Sequence, residues 1–141
     1  LINFIYRKED QPILRMAVED GVIVEPMYYM PIVPMLLVNG AMGIGIGWST
    51  EVPPFHLTKI VDNVKRCIEY GDSSTMEAMI PYYRGFQGQI IPSITNSEYF
   101  ESVGILERTP SANKFRIREL PVGVWTSTYR EFLDSKVVQE D

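Results

Sequence analysis

A mixed α/β fold is predicted for this chain of 141 residues from three features of its sequence. Apolar residues between Leu57 and Tyr70 recur at intervals of three and four, as they do on one face of a helix. Several short runs alternate apolar and polar residues and are rich in isoleucine, valine and phenylalanine, which is typical of strands. Glycines and prolines separate these segments, and hydrophobic residues make up 45% of the chain, enough for a globular core.

The N-terminal part is predicted to combine short helices with one strand. Residues 1–5 have the pattern of the end of an apolar helix, residues 12–18 that of a second helix, and residues 22–24 that of a short strand. The three prolines between residues 26 and 34 exclude a regular helix or a central strand there. We therefore expect a domain junction near residue 32.

A glycine-rich loop follows. Residues 35–38 form an apolar run that predicts a buried strand leading into this loop. Within the loop, Ile44 stands between Gly43 and Gly45. Glycine lets a backbone approach another surface closely, and isoleucine is a stiff, branched apolar side chain. We therefore expect another surface to come very near the loop, although a tight turn between buried strands would explain the composition equally well.

The second half is predicted to be rich in strands after one amphipathic helix. That helix spans residues 57–70 and is followed by Gly71, a residue that commonly ends helices. The other elements predicted are strands over 88–91, 104–108 and 114–120, a hairpin loop over 109–113, and a terminal helix with a capping box from Thr128 to Glu131.

Charge and composition exclude several classes of protein. The net charge of −5 argues against a freestanding nucleic-acid-binding domain, because DNA affinity depends largely on lysine and arginine contacts with phosphates. Residues 26–50 carry no charged side chain, but their prolines and glycines would leave backbone groups unsatisfied in a membrane, so we expect no membrane span. The single cysteine, Cys67, favours a reducing compartment. Because the chain lacks an initial methionine, we expect a segment of a longer protein.

No catalytic group emerges from the residues themselves. The glycine loop lacks the third glycine of a dinucleotide fingerprint, since Trp48 stands at that position. Tyr28 and Tyr29 have no neighbouring base to activate a phenol, and His56 has no second histidine with which to bind a metal. The segment 81–88 surrounds Arg84 with three aromatic residues. It suits either contact with bases and phosphates or a cation stacked on core aromatics.

Six blocks of sequence carry a resemblance that extends over nearly the whole chain, at residues 25–40, 43–50, 53–54, 81–88, 119–121 and 125–128. Together they resemble one enzyme family, the eukaryotic-type (type IIA) DNA topoisomerase II, in its DNA-cleavage core. The resemblance implies that residues 1–32 are the C-terminal end of a winged-helix domain and residues 33–141 the α/β part of a truncated tower domain.

The resemblance also implies an activity for the parent enzyme. Such an enzyme is an ATP-dependent isomerase, acting as a homodimer, that cuts both strands of a DNA duplex, passes another duplex through the gap and reseals it. It uses Mg²⁺ and ATP, neither of which this segment would bind. The nucleophilic tyrosine would lie upstream of Leu1, so the segment itself would be inactive. The expected location is the nucleus, or the host cytoplasm or nucleus if the protein is viral.

The resemblance assigns one residue a direct role in DNA bending. Ile44 matches the isoleucine that inserts between base pairs of the cleaved duplex, and its neighbours Gly43, Gly45 and Trp48 would contact the same DNA. Arg84 would make either a DNA contact or a structural one. The alternative from another class is a non-catalytic α/β domain whose glycine loop binds a groove on a partner protein.

Three positions depart from the family pattern. Met42 stands where an acidic residue is common, and Ile46 where a small polar residue is common, so this loop is more apolar than usual. The start of the helix at residue 57 has His56 and Leu57 in place of Asn-Pro. This change is expected to remove a favoured N-cap side chain.

Overall fold

The computed structural model describes residues 2–111 and 113–137, and within them the chain forms four α-helices and eight β-strands. It divides into two compact units, Leu1–Met79 and Ile80–Asp141. The junction near residue 32, expected between a winged-helix end and a tower domain, stays a prediction. Among the described residues, no helix combines the length and the apolar character that crossing a membrane would require.

The first unit contains two separate antiparallel strand pairs and its longest helix near its C-terminal end. Strand β1 pairs with β2, and β3 pairs with β4. In chain order the elements are α1 Ile2–Ile5, a 3₁₀ helix Lys8–Ile13, β1 Met16–Glu19, β2 Val22–Pro26, α2 Met35–Asn39, β3 Ala41–Gly45, β4 Trp48–Val52, α3 Leu57–Tyr70 and a 3₁₀ helix Ser73–Thr75.

The second unit repeats this arrangement of neighbouring strand pairs. The predicted strands and the hairpin loop over 109–113 are present within one or two residues of their expected bounds, except that Ala112 lies outside the described residues. One strand, Phe100–Val103, was not predicted. The elements are β5 Gln89–Pro92, β6 Phe100–Val103, β7 Ile105–Arg108, β8 Phe115–Glu119 and α4 Thr126–Asp134, with β5 paired to β6 and β7 to β8.

Helix α3 has the predicted bounds and carries the most deeply buried side chains. Among the described residues, Ile60 is the single fully buried hydrophobic side chain, at 1% exposure. The buried Asn63 side chain binds the backbone of the segment that follows the helix. Its Nδ2 donates to the Glu77 carbonyl and its Oδ1 accepts from the Glu77 backbone N–H, each at 2.9 Å. Arg66 adds an ion pair with the Glu77 carboxylate at 2.6 Å.

The helix predicted over residues 12–18 is wrong. A 3₁₀ helix ends at Ile13, and Met16–Glu19 is strand β1, paired with β2. The two strands are joined by Asp20 and Gly21, which both have positive φ, of 49° and 79°. An Asp-Gly pair with this backbone makes a tight hairpin turn, and that local preference outweighs the helical spacing upstream.

The buried strand predicted over residues 35–38 is also wrong. These residues belong to the single-turn helix α2, and its side chains are half-buried or exposed. A run of four apolar residues fits a helical turn as well as a strand, so periodicity alone cannot separate them. The helix ends at Gly40, whose φ of 70° and ψ of 169° suit glycine.

Two expectations about helix caps are corrected. His56 does cap α3, because its Nδ1 accepts a hydrogen bond from the Thr58 backbone N–H at 3.3 Å. The capping box from Thr128 to Glu131 is absent, since α4 already begins at Thr126 and its N-cap residue makes no side-chain capping bond. A threonine inside the first turn cannot cap that turn.

Candidate nucleic-acid interface

Strands β3 and β4 form a regular hairpin, residues 41–52, at whose end the predicted wedge residue lies. The pairing runs from Ala41 opposite Val52 to Gly45 opposite Trp48. Ile46 and Gly47 make the two-residue turn between the strands. Gly47 has a φ of +77°, the left-handed value that the second central residue of a type II turn requires.

The register of the hairpin separates its side chains onto two faces. Cross-strand partners share a face, and successive residues alternate between faces. Ile44 is opposite Ser49, so these two lie on one face, whereas Gly43 and Gly45 lie on the other with Trp48. A Cβ atom added at Gly43 would meet no atom within 4 Å, and one at Gly45 would be 3.7 Å from the Trp48 carbonyl oxygen. The two glycines therefore leave the backbone bare on the face opposite Ile44, beside Trp48.

The end of the hairpin is apolar and open to solvent. Ile44 is 91% exposed, Trp48 is 84% exposed and Ile46 in the turn is fully exposed. Exposed apolar groups at the end of a hairpin make a candidate surface for contact with another molecule. The alternative of a tight turn between buried strands is wrong, because β3 and β4 are exposed along most of their length.

Backbone contacts fix the base of the hairpin against α2. The Gly40 N–H donates to the Leu36 carbonyl at 2.9 Å, and the Phe55 N–H donates to the Leu37 carbonyl at 2.8 Å. A Cβ atom on Gly40 would lie only 2.8 Å from the Val52 carbonyl oxygen. Only glycine allows this close backbone contact at the point where α2 continues into the hairpin.

Arg84 lies in the second unit, in an exposed turn. The Phe86 N–H donates to the Tyr83 carbonyl at 3.1 Å, and the Gln87 N–H donates to Glu119 Oε2 at 2.7 Å. The Glu119 carboxylate therefore joins two blocks of sequence that were recognised separately, 81–88 and 119–121. This link was not predicted, since nothing in the spacing shows that residues 32 apart meet. The role of Arg84 stays a prediction.

Other candidate residues do not assemble into a catalytic or metal site. Tyr29 packs edge-on against Tyr6, with ring centroids 5.8 Å apart, and both Tyr28 and Tyr29 are exposed. A shallow hollow of about 110 Å³ beside Tyr6 is far smaller than a usual ligand pocket. Among residues 2–111 and 113–137, no three metal-binding side chains come together.

Comparison with known proteins identifies the family to which this chain belongs. The family model for the A subunit of DNA gyrase/topoisomerase IV matches residues 1–141. The chain belongs to this topoisomerase family. A protein named probable DNA topoisomerase 2 from Dictyostelium discoideum is 40% identical over 134 residues, which are 92% of this chain and 8% of that protein. DNA topoisomerase 2 from Drosophila melanogaster is 40% identical over 131 residues, 93% of this chain and 9% of its own length.

A solved structure of a topoisomerase matches the fold as well as the sequence. The Plasmodium falciparum topoisomerase II DNA-binding, cleavage and re-ligation domain superposes with a TM-score of 0.81 at 36% identity, over 94% of this chain and 17% of that one. The mixed α/β fold and the family resemblance are thereby confirmed. The chain is a segment of a type II topoisomerase cleavage and re-ligation domain, and it spans less than a tenth of the length of the two relatives above.

Proposed function

We propose that this chain is the part of a type IIA topoisomerase that bends the DNA to be cut, with Ile44 inserted between two base pairs. The observation that carries the proposal is the 91% exposure of Ile44 at the end of a paired hairpin, between two residues without side chains. The paired hairpin holds the branched apolar side chain of Ile44 in solvent, so this side chain is suited to enter an apolar gap. The space between unstacked bases is such a gap.

The energy balance supports a wedge. Unstacking one base step costs a few kcal/mol, and inserted apolar side chains are used by DNA-bending proteins to occupy the opened step. Burying a whole isoleucine side chain returns about 1.5–3 kcal/mol, which offsets most of that cost. Because isoleucine is branched at Cβ, it also loses less rotational freedom on insertion than an unbranched side chain of similar size.

The charge distribution is consistent with a segment that contacts DNA while other parts of the parent enzyme supply most of the electrostatic attraction. Residues 26–50 carry no charged side chain, so the hairpin end neither attracts nor repels the phosphates. With a net charge of −5, the segment supplies little of the electrostatic affinity that DNA binding requires. Most phosphate contacts come from the remainder of the protein, and they position the DNA against Ile44. Gly43 and Gly45 let the DNA approach the hairpin backbone, Trp48 lies beside it, and Arg84 adds a phosphate contact.

The whole protein, in this proposal, is a homodimeric, ATP-dependent isomerase of the nucleus that cleaves double-stranded DNA, passes a second duplex through the break and reseals it. Its nucleophilic tyrosine, its Mg²⁺ ligands and its ATP site belong to other parts of the protein. The segment alone is inactive and positions the DNA for them.

The proposal is tested by Ile44→Asp in the complete enzyme. Aspartate cannot enter a stack of bases without losing its hydration, so we expect DNA bending, measured by energy transfer between dyes at the duplex ends, to be abolished. Plasmid cleavage should fall at least tenfold. The melting temperature should be unchanged, because the side chain contacts little of the protein. Ile94→Asp is the matched control, since Ile94 is 96% exposed in the second unit.

A folded Ile44→Asp enzyme that bends and cleaves DNA normally would contradict the proposal. The same apolar surface could instead fit a groove on a protein partner. In that case the substitution would leave duplex binding, bending and cleavage unaltered.

A further inference from the structure

The hairpin carries a second apolar side chain that a single wedge does not use. Ile46 is fully exposed, more so than Ile44, and occupies the first position of the turn. Exposed turns normally hold glycine, proline or small polar residues, each of which has a backbone or hydrogen-bonding reason to be there. Isoleucine has none of these reasons, and in this turn the positive φ is provided by Gly47.

Ile46 lies too far from Ile44 to share the same opened base step. Residues two apart in an extended chain are separated by about 6.8 Å. Stacked bases repeat every ~3.4 Å, so separating one pair of neighbours admits a single layer of side-chain atoms. When Ile44 fills that layer, Ile46, in the turn at the end of the hairpin, lies outside the opened step. Its surroundings there are the walls of the groove.

We infer that Ile46 is a second DNA-contacting residue, which packs against deoxyribose carbons and base edges in the minor groove beside the step that Ile44 opens. This inference rests on the proposed function. The minor groove is the side from which apolar wedges enter DNA, and its sugar-lined walls present C–H groups to an aliphatic side chain. The turn also carries no charge that would repel the flanking phosphates.

The two isoleucines then have separable effects. Ile44 determines whether the DNA is bent, because it occupies the opened step. Ile46 adds apolar contact that forms only when the hairpin lies in the groove, so it lengthens the lifetime of the bound state without setting the bend. Since Ile46 touches no phosphate, its contribution does not depend on ion release and is insensitive to salt.

The test compares Ile46→Thr with Ile46→Val in the complete enzyme. Valine and threonine have nearly the same shape, and they differ in that threonine places a hydroxyl against the groove where valine places a methyl group. We expect Ile46→Thr to bind a labelled duplex about five- to tenfold more weakly than Ile46→Val, as burial of a poorly paired hydroxyl implies. The bend at saturating protein and the slope of affinity against salt concentration should be the same in both variants.

Ile44→Ala is measured alongside to keep the two proposals apart. Equal affinity of the Ile46 variants, with bending lost in Ile44→Ala, would overturn the inference and leave the wedge in place. Loss of the bend itself in Ile46→Thr would also overturn it, because Ile46 would then be part of the wedge. If Ile44→Ala bends DNA fully, the proposed function fails, whatever the Ile46 variants do.

Discussion

Shortening Ile44 in steps should reduce the bent fraction of bound DNA in steps. Each buried methylene contributes about 0.8 kcal/mol, so Ile44→Val removes ~0.8 kcal/mol and Ile44→Ala, which removes three carbons, ~2.4 kcal/mol. At 1.4 kcal/mol per factor of ten, the ratio of bent to straight complex falls about fourfold for valine and roughly 50-fold for alanine. These are lower limits, because the cavity left between the bases adds a further cost.

The change in this ratio can be expressed as the fraction of bound DNA that is bent. If the complex with isoleucine is ~95% bent, the same arithmetic gives about 80% bent with valine and roughly a quarter bent with alanine. Single-molecule energy transfer on a duplex labelled at both ends resolves the two populations directly. The measurement uses protein concentrations that saturate the DNA, so that weaker binding does not appear as weaker bending.

The controls separate a loss of contact from a loss of fold. Because Ile44 is 91% exposed, neither substitution should lower the melting temperature. Ile94→Ala removes the same three carbons from an equally exposed site and should leave the bent fraction unchanged. An alanine variant that saturates DNA and still bends it as the parent does would refute the reasoning, because the apolar gain on insertion would then be absent.

Two further predictions concern stability and are measured by urea unfolding of the complete protein. Gly40→Ala should lower the free energy of unfolding by roughly 2–4 kcal/mol, since it adds a Cβ atom 2.8 Å from a carbonyl oxygen at a φ of +70°. Gly43→Ala, whose Cβ atom meets nothing within 4 Å, should change it little, and equal effects would refute the role of Gly40. Asn63→Ala should cost about 1–3 kcal/mol by leaving the Glu77 backbone groups unpaired. The exposed neighbour Asp62→Ala serves as its control, and a change below ~0.5 kcal/mol for Asn63→Ala would contradict this reading.

The parts of the fold that were predictable from sequence are those in which local chemistry and tertiary packing agree. Helix α3 has enough turns for its apolar face to be recognised, and Gly71, in the left-handed conformation, ends it where expected. The β7–β8 hairpin was predictable because a polar loop separates two runs in which apolar and polar residues alternate. The turn at Asp20–Gly21 carries an equally strong hairpin signal, but the helical spacing of residues 12–18 obscured it.

The exposure of the hairpin could not be predicted from the sequence. Its apolar composition is the composition of a buried strand, so nothing in the order of residues shows which side faces solvent. The location of Ile44 between two glycines did indicate where another surface would approach. The exposure of Ile46 became evident only with the pairing register, because a turn residue is identified by the strands on either side of it. Likewise, the bond between Glu119 and Gln87 joins residues that sequence spacing does not connect.

Each of the four sheets among the described residues consists of two strands that are neighbours in the chain. An insertion or deletion in one turn therefore shifts the register of two strands and leaves the remaining six as they were. Residues 44–48, which the proposal places against DNA, can therefore change in evolution without altering the pairing of the other strands. The same independence lets an engineer vary the length and chemistry of that tip as a self-contained cassette.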